Sequence, residues 1–139
     1  MILKMIVGRG FRGVDSYVTG KPDARVLATN MGGQTPRERA REISGLRSSN
    51  PGLGKAAGHL VLSHDPSLPD LTDEEWRHAI DVARAEHDLR DAPFMAVLHQ
   101  DADHRHVHLF STHSAGGWLG GFGLTFVSKK HSRGAAHGA

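Results

Sequence analysis

The chain has 139 residues, enough for one hydrophobic core and too few for two ordinary domains with separate cores. It contains no cysteine, so disulfides and thiolate metal sites are excluded, and only nitrogen and oxygen ligands could hold a metal. The formal net charge of +2 hides an asymmetry: residues 1–60 carry ten Lys and Arg against four Asp and Glu, whereas residues 61–127 carry four against eleven. A basic half favours a polyanion such as nucleic acid, although ordinary solvated surface charge gives the same sums.

The N-terminal segment MILKMIVGRGFRG has too short an apolar run for a secretory signal. No stretch approaches the roughly 20 apolar residues that a membrane span needs. We therefore expect a soluble protein of the cytoplasm.

Short apolar or β-branched runs bounded by Gly, Pro, Asn or Asp predict the strands. They are expected at residues 2–7, 25–31, 59–63, 94–99 and 106–112. A short helix is expected at residues 11–19, between two glycines, and at this length it needs tertiary support.

Two further helices have clear start signals. Thr35 and Glu38 form a capping box with Pro at the first helical position, and this helix should end near residues 50–52. Thr72 and Glu75 form a second box, whose helix should end near residue 89. The apolar faces predicted by helical spacing are Ala40, Ile43 and Leu46 in the first of these helices, and Trp76, Ile80, Ala83 and His87 in the second.

The element order β-α-β-α-β-α-β-β predicts an α+β domain, with a mainly antiparallel five-stranded sheet and helices packed on it. From Ser114 onward the sequence is rich in glycine and has no acidic residue. We expect residues 114–139 to form a weakly ordered basic tail, with one strand near residues 124–127.

The segment HQDADHRHVHL, residues 99–109, is the strongest candidate for a functional site. Side chains two apart on a strand share a face, so His106 and His108 project together. An antiparallel return after a turn would bring His99 beside them, and three imidazoles with open coordination positions favour a catalytic metal. Asp101 and Asp103 could accept the second ring N–H of a ligand histidine. A lone histidine is usually structural, which is our interpretation of His59 and the other isolated histidines of the chain.

Tyr17, the only tyrosine of the chain, lies in GRGFRGVDSYVTG with Arg9, Arg12 and Lys21 close in sequence. A phenol among basic residues would be easier to deprotonate and would lie where a phosphate binds. A tyrosine that simply buries its ring is the alternative. The basic segment with Arg37, Arg39, Arg41 and Arg47 is a candidate for contacts with a nucleic-acid backbone, or a solvated helix face.

Four segments in order, GRGFRGVDSYV, RVLATNMGGQTPRERAREI, GHLVLS and HQDADHRHVHL, resemble the MobA/VirD2-like relaxases, mobilisation proteins of the His-hydrophobic-His endonuclease superfamily. The resemblance implies a relaxase-like nuclease domain at residues 1–113 that nicks single-stranded DNA at a plasmid or conjugative origin of transfer. By the same resemblance, Tyr17 attacks the phosphodiester and stays joined to the 5′ phosphate. Accessory mobilisation proteins are expected as further partners.

The resemblance also implies roles for residues of the other segments. His99, His106 and His108 would hold a divalent Mg²⁺ or Mn²⁺ ion. Ser63 would contact DNA near the cut, together with the arginines beside Tyr17, and Asp101 would orient a histidine or help to deprotonate Tyr17.

The glycine-rich segment after Ser114 departs from the family pattern, and we expect a member shortened at its C-terminus. The alternative function is therefore a truncated, non-catalytic module that binds DNA and metal. A replication initiator or transposase domain is disfavoured because its tyrosine typically follows the histidine pair, and no tyrosine lies after residue 108. A plain histidine metal-binding protein is the last alternative, which the basic first half disfavours.

Overall fold

The computed structural model describes residues 2–49, 53–87, 89–100 and 105–114. Its elements are β1 (Ile2–Gly10), α1 (Phe11–Thr19), β2 (Arg25–Thr29), α2 (Pro36–Ser49), β3 (Leu53–Ser63), α3 (Asp73–Glu86), β4 (Phe94–Gln100) and β5 (Arg105–Ser114). This is the element order that the sequence predicts, and α1 has the predicted bounds. The strand expected near residues 124–127 and nearly all of the expected tail lie outside the described residues.

Hydrogen bonds at the helix starts show how the capping signals work. At α3, Thr72 Oγ1 accepts from the Glu75 amide at 3.1 Å, and Glu75 Oε1 accepts from the Thr72 amide at 2.8 Å. At α2, Thr35 Oγ1 accepts from the Glu38 amide at 3.1 Å, but the Glu38 carboxylate accepts from the amide of Gln34 rather than that of Thr35. Both helices therefore begin where the sequence indicates. In the α2 box, the hydrogen bond to the Glu38 carboxylate comes from the amide one residue earlier than expected.

The strands form one sheet in the order β1-β3-β5-β4-β2, and each strand is antiparallel to its neighbours. Alternate residues of the strands serve two separate cores. Leu60, Leu98 and Leu109 pack with Trp76 and Ile80 of α3 on one face. The opposite face packs against α1 and α2, through Val97 and Phe110 among others. The α+β class with helices on an antiparallel sheet is confirmed.

The buried face of α2 differs from the predicted one. Ile43 is buried as expected, but Leu46 is 39% exposed and Arg39 is only 5% exposed. The Arg39 guanidinium is buried because it forms a two-pronged ion pair with Asp15 of α1, with Nε to Oδ2 at 2.6 Å and Nη2 to Oδ1 at 2.8 Å. The predicted apolar face of α2 was wrong at Leu46, which is exposed. Arg39 is not among the exposed arginines of the helix.

Further hydrogen bonds complete this ion pair. Arg39 Nη1 donates to the Gly33 carbonyl at 3.1 Å, and Thr19 Oγ1 donates to Asp15 Oδ1 at 3.2 Å. Asp15 is fully buried. The pair therefore fixes α1 against α2 and the loop before it.

Within the described ranges, no helix is long and apolar enough to cross a membrane.

We expect Asp15→Asn and Arg39→Met each to lower the free energy of unfolding by about 3–5 kcal/mol, because each leaves a buried charge without its counter-ion. Asp15→Leu combined with Arg39→Met should cost much less than the two single changes added together. Urea unfolding of the single and double variants measures both quantities.

The control for this prediction is the exposed ion pair between Arg25 and Asp73, whose side chains are 44% and 38% exposed. Arg25→Gln should cost no more than about 1 kcal/mol, because water screens that pair. An Asp15→Asn effect as small as that of Arg25→Gln would show that the buried pair does not hold the two helices together.

Candidate active site

Strand register brings three histidines together on the face of the sheet that carries α1. His99 of β4 is paired with His106 of β5, and His108 follows two residues later on the same face. One ring nitrogen from each lies within 4.8 Å of the others. His99 is buried, His108 is 9% exposed and His106 is half-buried. The expected three-imidazole face is present, and its arrangement could hold a metal ion.

A backbone carbonyl of α1 orients the His99 ring. His99 Nε2 lies 2.9 Å from the Val18 carbonyl oxygen, which can only accept a hydrogen bond. Nε2 of His99 therefore carries a proton and donates it, and Nδ1 is the ring nitrogen left for a metal. Since Val18 directly follows Tyr17 in the chain, this contact also joins the histidine face to the helix that carries the tyrosine.

A fourth histidine, His59 of β3, orients His108. His59 Nε2 lies 2.6 Å from His108 Nδ1, and both rings are buried. This hydrogen bond uses Nδ1 of His108 and leaves its Nε2 for a metal. Our interpretation of His59 as an isolated structural histidine was incomplete. Alternation with Leu60 and Leu62 could have placed it on the histidine face, but only the pairing of β3 with β5 brings it to His108.

Burial favours the neutral form of the His59 and His108 rings. Burial, followed by the charge of His99, lowers the pKa of His59 to about 4. Burial is also the main cause that lowers the pKa of His108 to about 3, followed by the charges of neighbouring histidines and of Lys21. Neutral rings have free lone pairs at neutral pH, which is the protonation state that metal ligation needs.

Tyr17 is exposed rather than buried, with 55% of its surface accessible. The Lys21 ammonium lies 4.6 Å from the centre of the tyrosine ring. The charge of the same ammonium also contributes to the lowered pKa of His108, so Lys21 acts electrostatically on the histidine face as well. The alternative of a tyrosine that only fills the core is wrong.

The structure locates the other expected site residues less completely. Ser63, half-buried at the end of β3, is paired with His106 and therefore lies on the histidine face. Arg12 is exposed on α1, but it lines a separate pocket with residues of α2. Arg9 lies on β1, where only the backbone is described. Asp101 and Asp103 lie outside the described residues.

A three-histidine face in contact with the helix that carries an exposed tyrosine is the kind of site that a metal-dependent nuclease uses. The family model for the nuclease domain of MobA/VirD2-like relaxases matches residues 17–114, most of the chain. The protein therefore belongs to this family of DNA-nicking relaxases, and the resemblance seen in its motifs is confirmed. No curated protein and no solved structure matches the chain.

We expect the metal-free chain to lose stability as the pH falls below about 6.5. The pKa values of His59 and His108 are about 4 and about 3 in the fold, against an ordinary value of 6.5. Unfolded imidazoles bind protons below pH 6.5 while these two stay neutral, so acid favours the unfolded state until the folded values are reached. One pKa unit corresponds to about 1.4 kcal/mol for each group, so the two groups together should lose on the order of a few kcal/mol between about pH 6.5 and about pH 5.

Urea unfolding in EDTA between about pH 7 and about pH 5 measures this dependence. His59→Phe should flatten it, because one buried neutral imidazole is removed. His78→Gln, at an exposed position of α3, should leave it unchanged. Equal stability of the unmodified chain at both pH values would contradict the prediction.

Proposed function

We propose that this chain nicks one DNA strand at a plasmid or conjugative origin of transfer, by transesterification to Tyr17. The observation that carries the proposal is the 2.9 Å contact between His99 Nε2 and the carbonyl of Val18, the residue after Tyr17. It supports a single site in which the only phenol of the chain and the histidine face act on one phosphate.

In the proposed reaction, the Tyr17 hydroxyl oxygen attacks the scissile phosphorus. A phosphotyrosyl ester to the 5′ phosphate forms and the bond from phosphorus to the 3′ oxygen breaks. The phenolic proton passes to a base, and the departing oxygen takes up a proton to become a 3′ hydroxyl. One phosphodiester is exchanged for another, so the bond energy is conserved and the strand can later be rejoined.

The donor set of the histidine face fits a divalent cation. Three imidazole ligands leave further coordination positions open, and the second nitrogens of His99 and His108 are held by Val18 and His59. A bound Mg²⁺ or Mn²⁺ would neutralise charge on the non-bridging phosphate oxygens. The chain itself orients the rings of His99 and His108 before the ion binds.

Four further residues have proposed roles around the phosphate. The Lys21 ammonium supplies positive charge beside the phenol, where the scissile phosphate must dock. Ser63, next to His106 on the sheet, is proposed to contact the DNA near the cut. Asp101 follows β4 and is proposed to orient a histidine or accept the phenolic proton. Arg9, on β1, is proposed to bind DNA, and accessory mobilisation proteins are proposed as further partners.

A single-stranded oligonucleotide carrying the cognate nick site, incubated with Mn²⁺, should form a covalent adduct with the chain. Tyr17→Phe should abolish the adduct, because the chain has no second tyrosine. Denaturing gels detect the adduct, and peptide mass spectrometry identifies the modified residue.

Two outcomes would contradict this proposal. An adduct that persists in Tyr17→Phe would exclude the tyrosine as nucleophile. Binding of both DNA and Mn²⁺ by the unmodified chain without any adduct would instead favour the non-catalytic module.

Calorimetric titration with Mn²⁺ should show one binding site per chain. His106→Gln should lower the affinity by more than about tenfold, because a ligand is removed, and His59→Leu by about 10–100-fold, because His108 loses its orienting partner. The matched control is His78→Gln on α3, which should bind as tightly as the unmodified chain. Full affinity in His106→Gln would exclude the three-histidine metal site.

A further inference from the structure

The charged side chains of α2 are sorted between different partners. Both of its carboxylates are turned toward the loop before the helix: Glu38 accepts from the Gln34 amide at 2.7 Å, and Glu42 accepts from the Gly33 amide at 2.8 Å. Arg39 is buried against Asp15. Among the described residues, neither carboxylate therefore forms an ion pair with Arg37 or Arg41.

Three arginines of α1 and α2 lie around one surface pocket. Arg37 and Arg41, one turn apart on α2, line an open pocket of about 340 Å³ together with Arg12 of α1. Small residues, Ala40 and Ser44, form the rest of its lining. All three arginines are exposed, and in the described part of the chain none of them has an ion pair or a side-chain hydrogen bond.

This arrangement does not serve the stability of the fold. Like charges four residues apart on a helix repel each other, and a third guanidinium from α1 adds to the repulsion. A bound anion would relieve it. Guanidinium groups bind phosphate oxygens with two parallel hydrogen bonds. Since no carboxylate of the described residues pairs with these three arginines, their donors are open to a phosphate.

The backbone that carries these arginines is fixed before a ligand arrives. The Asp15–Arg39 ion pair joins the two helices from which the arginines project. Binding of a ligand therefore has to order the three arginine side chains but not the helices.

We propose that Arg12, Arg37 and Arg41 form a phosphate-binding site for the backbone of single-stranded DNA, separate from the histidine face. The identity of the polyanion rests on the proposed function. Arg12 precedes Tyr17 by five residues, about 7.5 Å along the helix axis and on a different side of it. A strand cut at Tyr17 can therefore reach the arginine pocket within a short distance of the nick, and the pocket would hold the strand in register during cleavage and rejoining.

The test is noncovalent binding of a fluorescent single-stranded oligonucleotide in EDTA, followed by anisotropy over a series of salt concentrations. The Arg37→Ala/Arg41→Ala double variant should bind at least about tenfold more weakly. The slope of log affinity against log salt should fall by about 0.7 for each arginine removed. Alanine favours the helix, so the variant should fold, and circular dichroism checks this.

Arg47→Ala is the matched control, on the same helix but outside the pocket, and it should change affinity far less. A second probe replaces the phosphates by uncharged methylphosphonate linkages. The double variant and the unmodified chain should bind this probe equally, because the contact is to phosphate charge.

The inference is overturned if the double variant binds single-stranded DNA no more weakly than Arg47→Ala. It is also overturned if the variant loses affinity for duplex DNA alone, or if its defect persists on the uncharged probe. Failure of the Tyr17 reaction is a separate result. If the chain forms no adduct but its DNA binding depends on the arginines, the proposed function is wrong and the phosphate site stands. If the chain forms the adduct but its DNA binding does not depend on the arginines, the phosphate site is wrong and the nicking mechanism stands.

Discussion

Most of this structure depends on the pairing register of β4 with β5. Leu98 is opposite Val107, and both are buried in the core under α3. The same register puts His99 opposite His106 on the other face, beside α1. A slip of one residue would turn every side chain of the shifted strand to the opposite face, and the apolar residues of that strand would leave the α3 core. The burial of Leu98 and Val107 thus secures the position of the histidines.

The helix α1 contacts both the histidine face and α2. It has nine residues, too few to be stable alone in water, so its position is fixed by its contacts. Its Val18 carbonyl orients His99, its buried Asp15 holds Arg39, and its exposed Tyr17 lies under Lys21. The helix that carries the phenol therefore also contacts His99 and Arg39, and its own position depends on those contacts. Buried ion pairs and neutral buried histidines add little to net stability, so their presence is better explained by the positions they impose.

The basic residues in the first half of the chain lie in several different environments. Arg39 is internal, and Arg25 is paired with Asp73 at the start of α3. The exposed arginines around the pocket between α1 and α2 have no such partner among the described residues. A net charge summed along the sequence cannot separate these cases, because each depends on which carboxylate the fold places within reach of the guanidinium.

The sequence by itself determined the order of the elements, the starts of α2 and α3, and the face shared by His106 and His108. These features depend on local periodicity and capping, which act over a few residues. Only the tertiary structure decided the hydrogen bond of His59 with His108, 49 positions apart, and the ion pair of Asp15 with Arg39, 24 positions apart. Such contacts depend on strand order and helix packing, which no local pattern specifies. For the same reason the helical spacing of α2 predicts Leu46 in the core and Arg39 on the surface. The fold instead buries the Arg39 guanidinium, because it places the Asp15 carboxylate against it.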